Sequence, residues 1–220
     1  MTMPRRVKPP EVPSDQDLAY FIVFVQHFVL GKMNVADAIY QQKGRSVDRV
    51  ASYLSRVAPP KRTPLYRGWM IEPEKVVAGK IAVEHKIPIS FSRDRNIACF
   101  FADPRTTISA FISQMRPRAR GYVMKLTGWT ASQVIWTYEW NDKIPAPGWG
   151  SGMATLSSIT SITIPQADLS LHDVRVIDSN IRSQKELILK PLPRTAKTTL
   201  TPLSKADCPP TAALNARYAG

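Results

Sequence analysis

The segment 87–102, IPISFSRDRNIACFFA, constrains the fold most because it predicts a strand, a tight turn and a helix in direct succession. Its isoleucines are β-branched and lie on one side of an extended chain. Asp94 is a suitable cap for a helix whose apolar positions lie about one turn apart. Ser90 and Ser92 therefore stand at a strand end beside a helix N-terminus, where a polar or anionic ligand can bind. The simpler interpretation is a strand-to-helix corner in which Ser92 only caps the helix.

The chain is strongly basic, with a formal net charge of +13 over 220 residues. This length allows one sizeable domain with its own core, or one domain plus a small extension. A positive field favours anionic partners: nucleic acid, an acidic protein face or a phosphate-bearing small molecule. The densest basic run comprises Arg93, Arg95, Arg105, Arg116, Arg118 and Arg120.

The cysteine and hydropathy patterns indicate the cellular compartment in which we expect the protein. Cys99 and Cys208 are too far apart to predict a disulfide framework or a zinc site, which fits a reducing cytoplasm. The apolar run 20–30 is too short to span a bilayer and does not resemble a secretory signal. We therefore expect a cytoplasmic location, in the producing or the target cell, with no membrane and no metal. The sequence shows no partners for a catalytic triad or a metal site around the three histidines, His27, His85 and His172.

The N-terminal part of the chain predicts helices before any strand. Residues 1–13 are basic and proline-rich, so we expect a flexible N-terminus. Residues 14–60 predict a helical segment packed on the core, in three helices. The predicted caps and breaks are Ser14, Gly31, Asn34, Gly44 and Ser46.

The remainder of the chain is richer in strand patterns. Short strands are predicted at 65–69, 87–92, 121–126, 133–140, 159–164, 174–177 and 186–189. A helix is predicted over 73–84, residues 106–115 are ambiguous between helix and strand, and the glycines of 148–152 indicate a mobile loop. Residues 193–220, rich in Pro, Thr and Ala, predict an irregular C-terminal tail. The sum is an α+β fold with mostly antiparallel sheets.

Three polar residues in these strands are candidates for chemistry. Arg67, in LYRGW, must reach solvent or pair with an anion, and its planar guanidinium suits phosphate or carboxylate. Ser90 lies in the segment 87–102, at the end of its predicted strand. Glu186 begins an apolar strand, and Gln184 lies on the same side of an extended chain. Each residue alone is more often an edge residue that faces water.

Taken together and in order, these residues resemble the motifs of the R-S-E class of mono-ADP-ribosyltransferases. The matching segments are Tyr66-Arg67-Gly68, Ser90-Phe91-Ser92 and Gln184-Lys185-Glu186. Phe91 stands where that family commonly has Thr. The resemblance covers about residues 63–191 and implies an ADP-ribosyltransferase-like split antiparallel β-sandwich, with residues 61–192 as the catalytic core.

The resemblance also implies a substrate and a role for each residue. NAD is the implied substrate, in a cleft between two small sheets, with Phe91 or Trp69 stacked on its nicotinamide ring. The implied catalytic residues are Glu186, Gln184, Ser90 and Arg67. The implied NAD-binding residues are Arg67, Gly68, Ser90, Phe91 and Ser92.

Gln at position 184 implies an acceptor other than arginine, on a protein or on RNA or DNA, presented by the loop 178–183. Proteins of this kind occur as phage proteins, injected effectors and toxins. For a nucleic-acid acceptor, the expected phosphate contacts are Arg93, Arg95, Arg116, Arg118 and Arg120. Two alternatives stay open. One is a NAD glycohydrolase toxin. The other is a basic nucleic-acid-binding module without catalysis, with Trp136, Tyr138 and Trp140 as its aromatic residues.

Overall fold

The computed structural model of the chain describes residues 12–77, 80–81, 87–143, 185–192, 196–204 and 208–218. Its helices are α1 (Asp15–Val29), α2 (Met33–Val57), α3 (Arg95–Ala102), α4 (Thr107–Met115) and α5 (Thr211–Tyr218). Its strands are β1 (Leu65–Ile71), β2 (Val76–Val77), β3 (Lys80–Ile81), β4 (Ile89–Ser92), β5 (Arg120–Thr127), β6 (Val134–Thr137), β7 (Glu186–Leu189) and β8 (Lys197–Pro202).

The strands form an antiparallel six-stranded sheet in the order β6-β7-β4-β1-β5-β8, and a separate two-stranded sheet, β2-β3. The predicted α+β class with a helical N-terminal segment is therefore confirmed. Strand β1 pairs with β5 along its whole length, but its described pairing with β4 is limited to Tyr66 and Ser92. The sheet is thus weakly joined at its centre, between β4 and β1.

Helix α1 begins as the sequence predicts. The Asp17 amide donates to Ser14 Oγ at 3.1 Å, and the Ser14 amide donates to the Asp17 carboxylate at 3.2 Å. This reciprocal pair is a capping box. After α1 the chain turns at Gly31, whose φ of 71° favours glycine.

The two helices predicted after Gly31 are present: they follow one another within α2 and meet at a kink at Lys43, whose backbone is not helical (φ −126°, ψ 17°). Its N-cap is Lys32, which makes no side-chain capping bond, rather than Asn34. Residues on both sides of the kink, Ile39 and Val47, are fully buried. Both helices of α2 therefore pack on the same core, and the break between them falls next to the boundary predicted from Gly44 and Ser46.

Helices α1 and α2 share one hydrophobic core with the sheet. Phe21 and Phe24 from α1 are fully buried, and so is Trp136 on β6. The Trp140 indole donates to the Ala58 carbonyl at 2.7 Å and so ties the end of α2 to the segment after β6. No helix among the described residues has the length and apolarity needed to cross a membrane.

Several secondary-structure predictions are corrected or refined. The helix predicted over 73–84 is wrong: a short 3-10 turn, Pro73–Lys75, leads into β2 and β3, as its β-branched valines favour. The ambiguous segment is helix α4. The strand predicted over 133–140 ends at Thr137 and continues as a 3-10 turn, Tyr138–Lys143. The predictions for 1–11, 148–152, 159–164 and 174–177 lie outside the described residues.

The prediction of an irregular C-terminal tail is also wrong. Strand β8 pairs with β5, and α5 packs on α3 through the buried Leu214. Cys99 and Cys208 form a disulfide with a Cα–Cα distance of 5.8 Å, which sequence separation alone had argued against. The chain returns to α3 after the sheet is complete, so the two cysteines meet. Disulfides are typical of oxidising compartments, so the cysteine argument for a reducing cytoplasm no longer holds.

The Cys208→Ser substitution is expected to lower the free energy of unfolding by about 2–4 kcal/mol, because the disulfide closes a long loop in the unfolded chain. Thermal denaturation with and without a dithiol reductant measures this effect. Reductant should lower the midpoint of the wild type and leave that of Cys208→Ser unchanged. Equal midpoints for all four samples would contradict the prediction.

Candidate functional site

Arg67, Ser90 and Glu186, far apart in sequence, border one cleft of about 320 Å³. They lie on β1, β4 and β7, which are consecutive in the sheet order β7-β4-β1. The other lining residues that the sequence singled out are Gly68, Phe91 and Ser92. Gln184 lies outside the described residues. The structure thus brings the predicted side chains together; their catalytic and binding roles stay predictions.

The register between β4 and β7 places Ser92 opposite Glu186 and Ser90 opposite Ile188. Residues directly opposite in an antiparallel pair lie on the same face, and positions two apart share that face. Ser90, Ser92 and Glu186 therefore belong to one face of the sheet. The turn after Ser92 leads directly into helix α3.

Ser92 also has the structural role that the simpler interpretation gave it. Its hydroxyl accepts a hydrogen bond from the Asp94 amide at 3.0 Å, and the Asp94 carboxylate accepts one from the Asn96 amide at 2.9 Å. Ser92 is 4% exposed. It therefore fixes the strand-to-helix corner, while Ser90 is the more accessible hydroxyl.

The Arg67 guanidinium is held in place from two directions. Its Nη1 donates to the Ser90 carbonyl at 2.7 Å and to Ser90 Oγ at 2.8 Å. Its Cζ lies 5.1 Å from the centre of the Trp69 ring, a cation–π distance. The buried Nε has no hydrogen-bond partner among the described residues. A fixed guanidinium with an unused donor is suited to bind an anionic or hydroxyl oxygen.

The two charged groups of the cleft have displaced pKa values. Burial raises the pKa of Glu186 to about 7, against the opposing effects of a Ser90 hydrogen bond and the charge of Arg67. Burial lowers the pKa of Arg67 to about 10, and the Glu186 charge opposes this shift. Near neutral pH Arg67 is charged and Glu186 is close to its titration midpoint. Ser90 bridges the two, since it accepts from Arg67 and hydrogen-bonds to Glu186.

Gly68, directly after Arg67, allows helix α3 to lie against β1. A Cβ on Gly68 would lie 1.9 Å from the Ala98 carbonyl oxygen. A Cβ on Gly121, on the neighbouring β5, would lie 2.0 Å from the Ala102 carbonyl oxygen. Both contacts involve backbone, which cannot rotate away. The glycines therefore fix how closely α3 approaches the strand that carries Arg67.

The Gly68→Ala substitution is expected to push α3 away from β1 and to cost about 1–3 kcal/mol of stability. Thermal or denaturant unfolding measures the loss. Gly44→Ala in α2 is the matched control, because its Cβ would meet Tyr40 at an ordinary 3.8 Å. That variant should be neutral or slightly stabilising. Equal stability of Gly68→Ala and the wild type would contradict the close approach of α3.

Sequence reasoning missed one border of the cleft, the turn between α1 and α2. Leu30, Gly31 and Met33 from this turn line the cleft beside the end of α1. Gly31 signalled a helix end, but no sequence pattern indicated which part of the sheet that end would face. Helix α3 forms another border, with Ile97, Ala98 and Phe101.

Arg93, predicted to bind nucleic-acid phosphate, is committed to internal contacts. Its Nη1 donates to the Lys61 carbonyl at 2.6 Å and to Thr63 Oγ1 at 2.8 Å, and its Nη2 to the Glu139 carboxylate at 2.9 Å. Its side chain is 10% exposed. Arg93 therefore fastens the segment before β1 to the segment after β6. The exposed members of the predicted set are Arg116, Arg118 and Arg120.

Two of the three aromatic residues named for nucleic-acid stacking are also internal. Trp136 is 0% and Trp140 1% exposed, so neither ring is available to a base. Trp69, expected to stack on nicotinamide, lies against Arg67 instead and is not among the described residues that line the cleft. Phe91 lines the cleft but is only 2% exposed.

Acidic, His and Cys side chains are the usual protein ligands of metal ions. Within the described ranges, no group of three or more such residues is placed to hold a metal ion. Comparisons of the chain with protein-family models, with curated proteins and with solved structures found no match.

Proposed function

We propose that this chain is a mono-ADP-ribosyltransferase, which transfers ADP-ribose from NAD to a macromolecular acceptor other than arginine. The observation that carries the proposal is the convergence of Arg67, Ser90 and Glu186 on one cleft. The weak central pairing of β1 with β4 supports the finer proposal of a split, ADP-ribosyltransferase-like sheet. A guanidinium, a hydroxyl and a carboxylate suit a ligand with phosphates and a sugar.

In this proposal each residue acts on a different part of NAD. Arg67 donates through its guanidinium to a phosphate or to the adjoining ribose. Ser90 hydrogen-bonds to both Arg67 and Glu186 and so holds the two side chains in fixed relative positions. The Glu186 carboxylate accepts a hydrogen bond from a ribose hydroxyl and stabilises positive charge on the sugar as the bond to nicotinamide breaks.

The bond changes balance without a further reactant. The bond from the ribose carbon to the nicotinamide nitrogen breaks, and its electron pair stays with the nitrogen, so the ring leaves neutral. The acceptor nucleophile forms a bond to the same carbon and loses one proton. Since the proton goes to solvent or to a nearby base, the products are ADP-ribosylated acceptor, nicotinamide and a proton.

The pKa of Glu186 predicts the pH dependence of turnover. Because the ionised carboxylate is the active form, kcat/KM should fall about tenfold per pH unit below pH 7 and level off above it. Initial rates of nicotinamide release between pH 5 and 9 measure this profile. Ser90→Ala should move the midpoint upward, because the Ser90 hydrogen bond lowers the pKa of Glu186. A flat profile would contradict the role of Glu186.

The proposed transfer is tested with NAD labelled in its ADP-ribose part, incubated with the protein and a cell lysate. Protein and nucleic-acid fractions are then separated and counted. The wild type should label one fraction, and Glu186→Gln should label neither. Because most enzymes of the resembled family modify proteins, we expect label in the protein fraction; label in nucleic acid would place the acceptor there. Equal labelling by the wild type and Glu186→Gln would contradict the assignment.

Two further outcomes identify the alternatives. Loss of NAD without labelled macromolecule would indicate a glycohydrolase that uses the same cleft with water as acceptor. Salt-sensitive nucleic-acid binding without NAD turnover would indicate the binding module. For the binding module, the exposed Arg116, Arg118 and Arg120 provide a basic surface that nucleic acid could contact. The aromatic residues proposed for base stacking, however, are mostly buried.

A further inference from the structure

The turn between α1 and α2, residues 30–33, borders the same cleft as Arg67, Ser90 and Glu186. We call this turn the α1–α2 corner. It belongs to the helical segment 14–60, to which the sequence assigned no role in the site. The proposed mechanism uses the strand residues and leaves the corner unexplained.

The corner presents apolar side chains that the protein does not fully cover. Phe28 and Val29, just before it, are 5% and 7% exposed, whereas Leu30 and Met33 are only partly buried. At Gly31 an added Cβ would meet no atom within 4 Å, so the chain is open at this point. Partly exposed aliphatic side chains at the border of a cleft can be covered by an apolar part of a ligand.

The chemistry of the cleft indicates which part of a ligand this is. The sheet supplies a guanidinium, hydroxyls and a carboxylate, which suit a sugar and phosphates. The corner supplies Leu30 and Met33, and α3 supplies Phe101, which suit a flat ring. Trp69 lies against Arg67 and Phe91 is almost fully buried, so these two rings are poorly placed to contact a ligand. The methionine thioether, by contrast, packs favourably on aromatic rings.

We propose that Leu30 and Met33 contact the nicotinamide ring of NAD, which makes the α1–α2 corner part of the catalytic unit. This inference rests on the proposed function and adds to it the residues that recognise the leaving group. The apolar side chains also favour the neutral nicotinamide that leaves over the cationic ring that arrives. Residues 61–192 are therefore insufficient to form the complete site.

The test compares NAD with ADP-ribose, which has the same sugar and phosphates but no nicotinamide ring. Both ligands are titrated calorimetrically into full-length Glu186→Gln protein, which prevents turnover. Adding Met33→Ala should weaken NAD binding about tenfold and leave ADP-ribose binding within about twofold. Adding Met33→Leu, which keeps an apolar side chain of similar volume, should leave both affinities nearly unchanged.

Val57→Ala is the matched control, since Val57 lies at the opposite end of α2 and is 54% exposed. Thermal midpoints of all variants show whether each one is folded. Equal losses for NAD and ADP-ribose, or no loss for either, would overturn the inference and leave the proposed function intact. If neither ligand binds before Met33 is changed, the proposed function itself fails.

Discussion

Replacing Glu186 with Gln is expected to reduce nicotinamide release from NAD by about 100- to 1,000-fold, the effect of losing one preorganised electrostatic group in an active site. Gln has nearly the same shape and retains a carbonyl oxygen, but it carries no negative charge. Glu186 lies on β7 opposite Ser92, within the face that also carries Ser90. The substitution therefore removes the charge that would stabilise the developing cation and leaves the sheet intact.

The measurement is the steady-state rate of nicotinamide release at saturating NAD, for purified wild type and variant. Glu74→Gln is the control, because Glu74 is an exposed carboxylate in the 3-10 turn after β1. Its rate should match that of the wild type. A Glu186→Gln rate within twofold of the wild-type rate would exclude Glu186 as the catalytic carboxylate.

Replacing Arg67 with Lys is expected to lower kcat/KM by about 10- to 100-fold, although the positive charge is retained. A lysine can donate to Ser90 but cannot reproduce the planar fork that bonds to Ser90, lies against Trp69 and keeps Nε available. The loss should appear mainly in KM if Arg67 binds phosphate. It should appear mainly in kcat if Arg67 contacts the reacting ribose.

A second substitution at the same position separates charge from shape. Arg67→Met removes the charge that lowers the pKa of Glu186, so the midpoint of the pH profile should rise. Arg67→Lys should leave the midpoint near 7. Arg118→Lys, at an exposed arginine after α4, is the control and should behave as the wild type. Identical pH profiles for Arg67→Met and the wild type would show that Arg67 and Glu186 do not interact.

Local sequence signals predicted the elements that carry the site. β-Branched residues and a capping aspartate predicted β4 and α3, and an apolar run of three residues after Glu186 predicted β7. These signals are local, because each depends on neighbouring residues alone. Arg67, Ser90 and Glu186 could therefore be named as strand residues. The adjacency of β1, β4 and β7 in the sheet depends on pairing between distant parts of the chain. Only the resemblance to ADP-ribosyltransferase motifs suggested that these strands would meet.

Predictions failed where distant parts of the chain decide the structure. The threonines of residues 197–202 favour a strand, but the surrounding prolines weaken that signal; the edge of β5 provides the partner that orders β8. Cys208 meets Cys99 because α5 returns to α3, a contact that sequence separation conceals. The sequence suggested that Arg93 is a surface cation, yet it donates to the Lys61 carbonyl, the Thr63 hydroxyl and the Glu139 carboxylate, which hold it inside.

The α1–α2 corner shows the same limit at the site itself. Helix periodicity predicted where α1 ends, and Gly31 supplied the conformation for the turn. Neither signal reports that this turn lies beside Arg67 and Glu186. Its place follows from packing of α1 and α2 on the sheet through one shared core.

The most direct test of the central claim is the release of nicotinamide from nicotinamide-labelled NAD by the purified, full-length wild type, with and without a cell lysate. We predict release that rises on addition of lysate, because the lysate supplies an acceptor, and we expect Glu186→Gln to lower the protein's release by at least about 100-fold in both conditions. Absence of release by the wild type in both conditions would contradict the account of Arg67, Ser90 and Glu186 as an NAD-cleaving site.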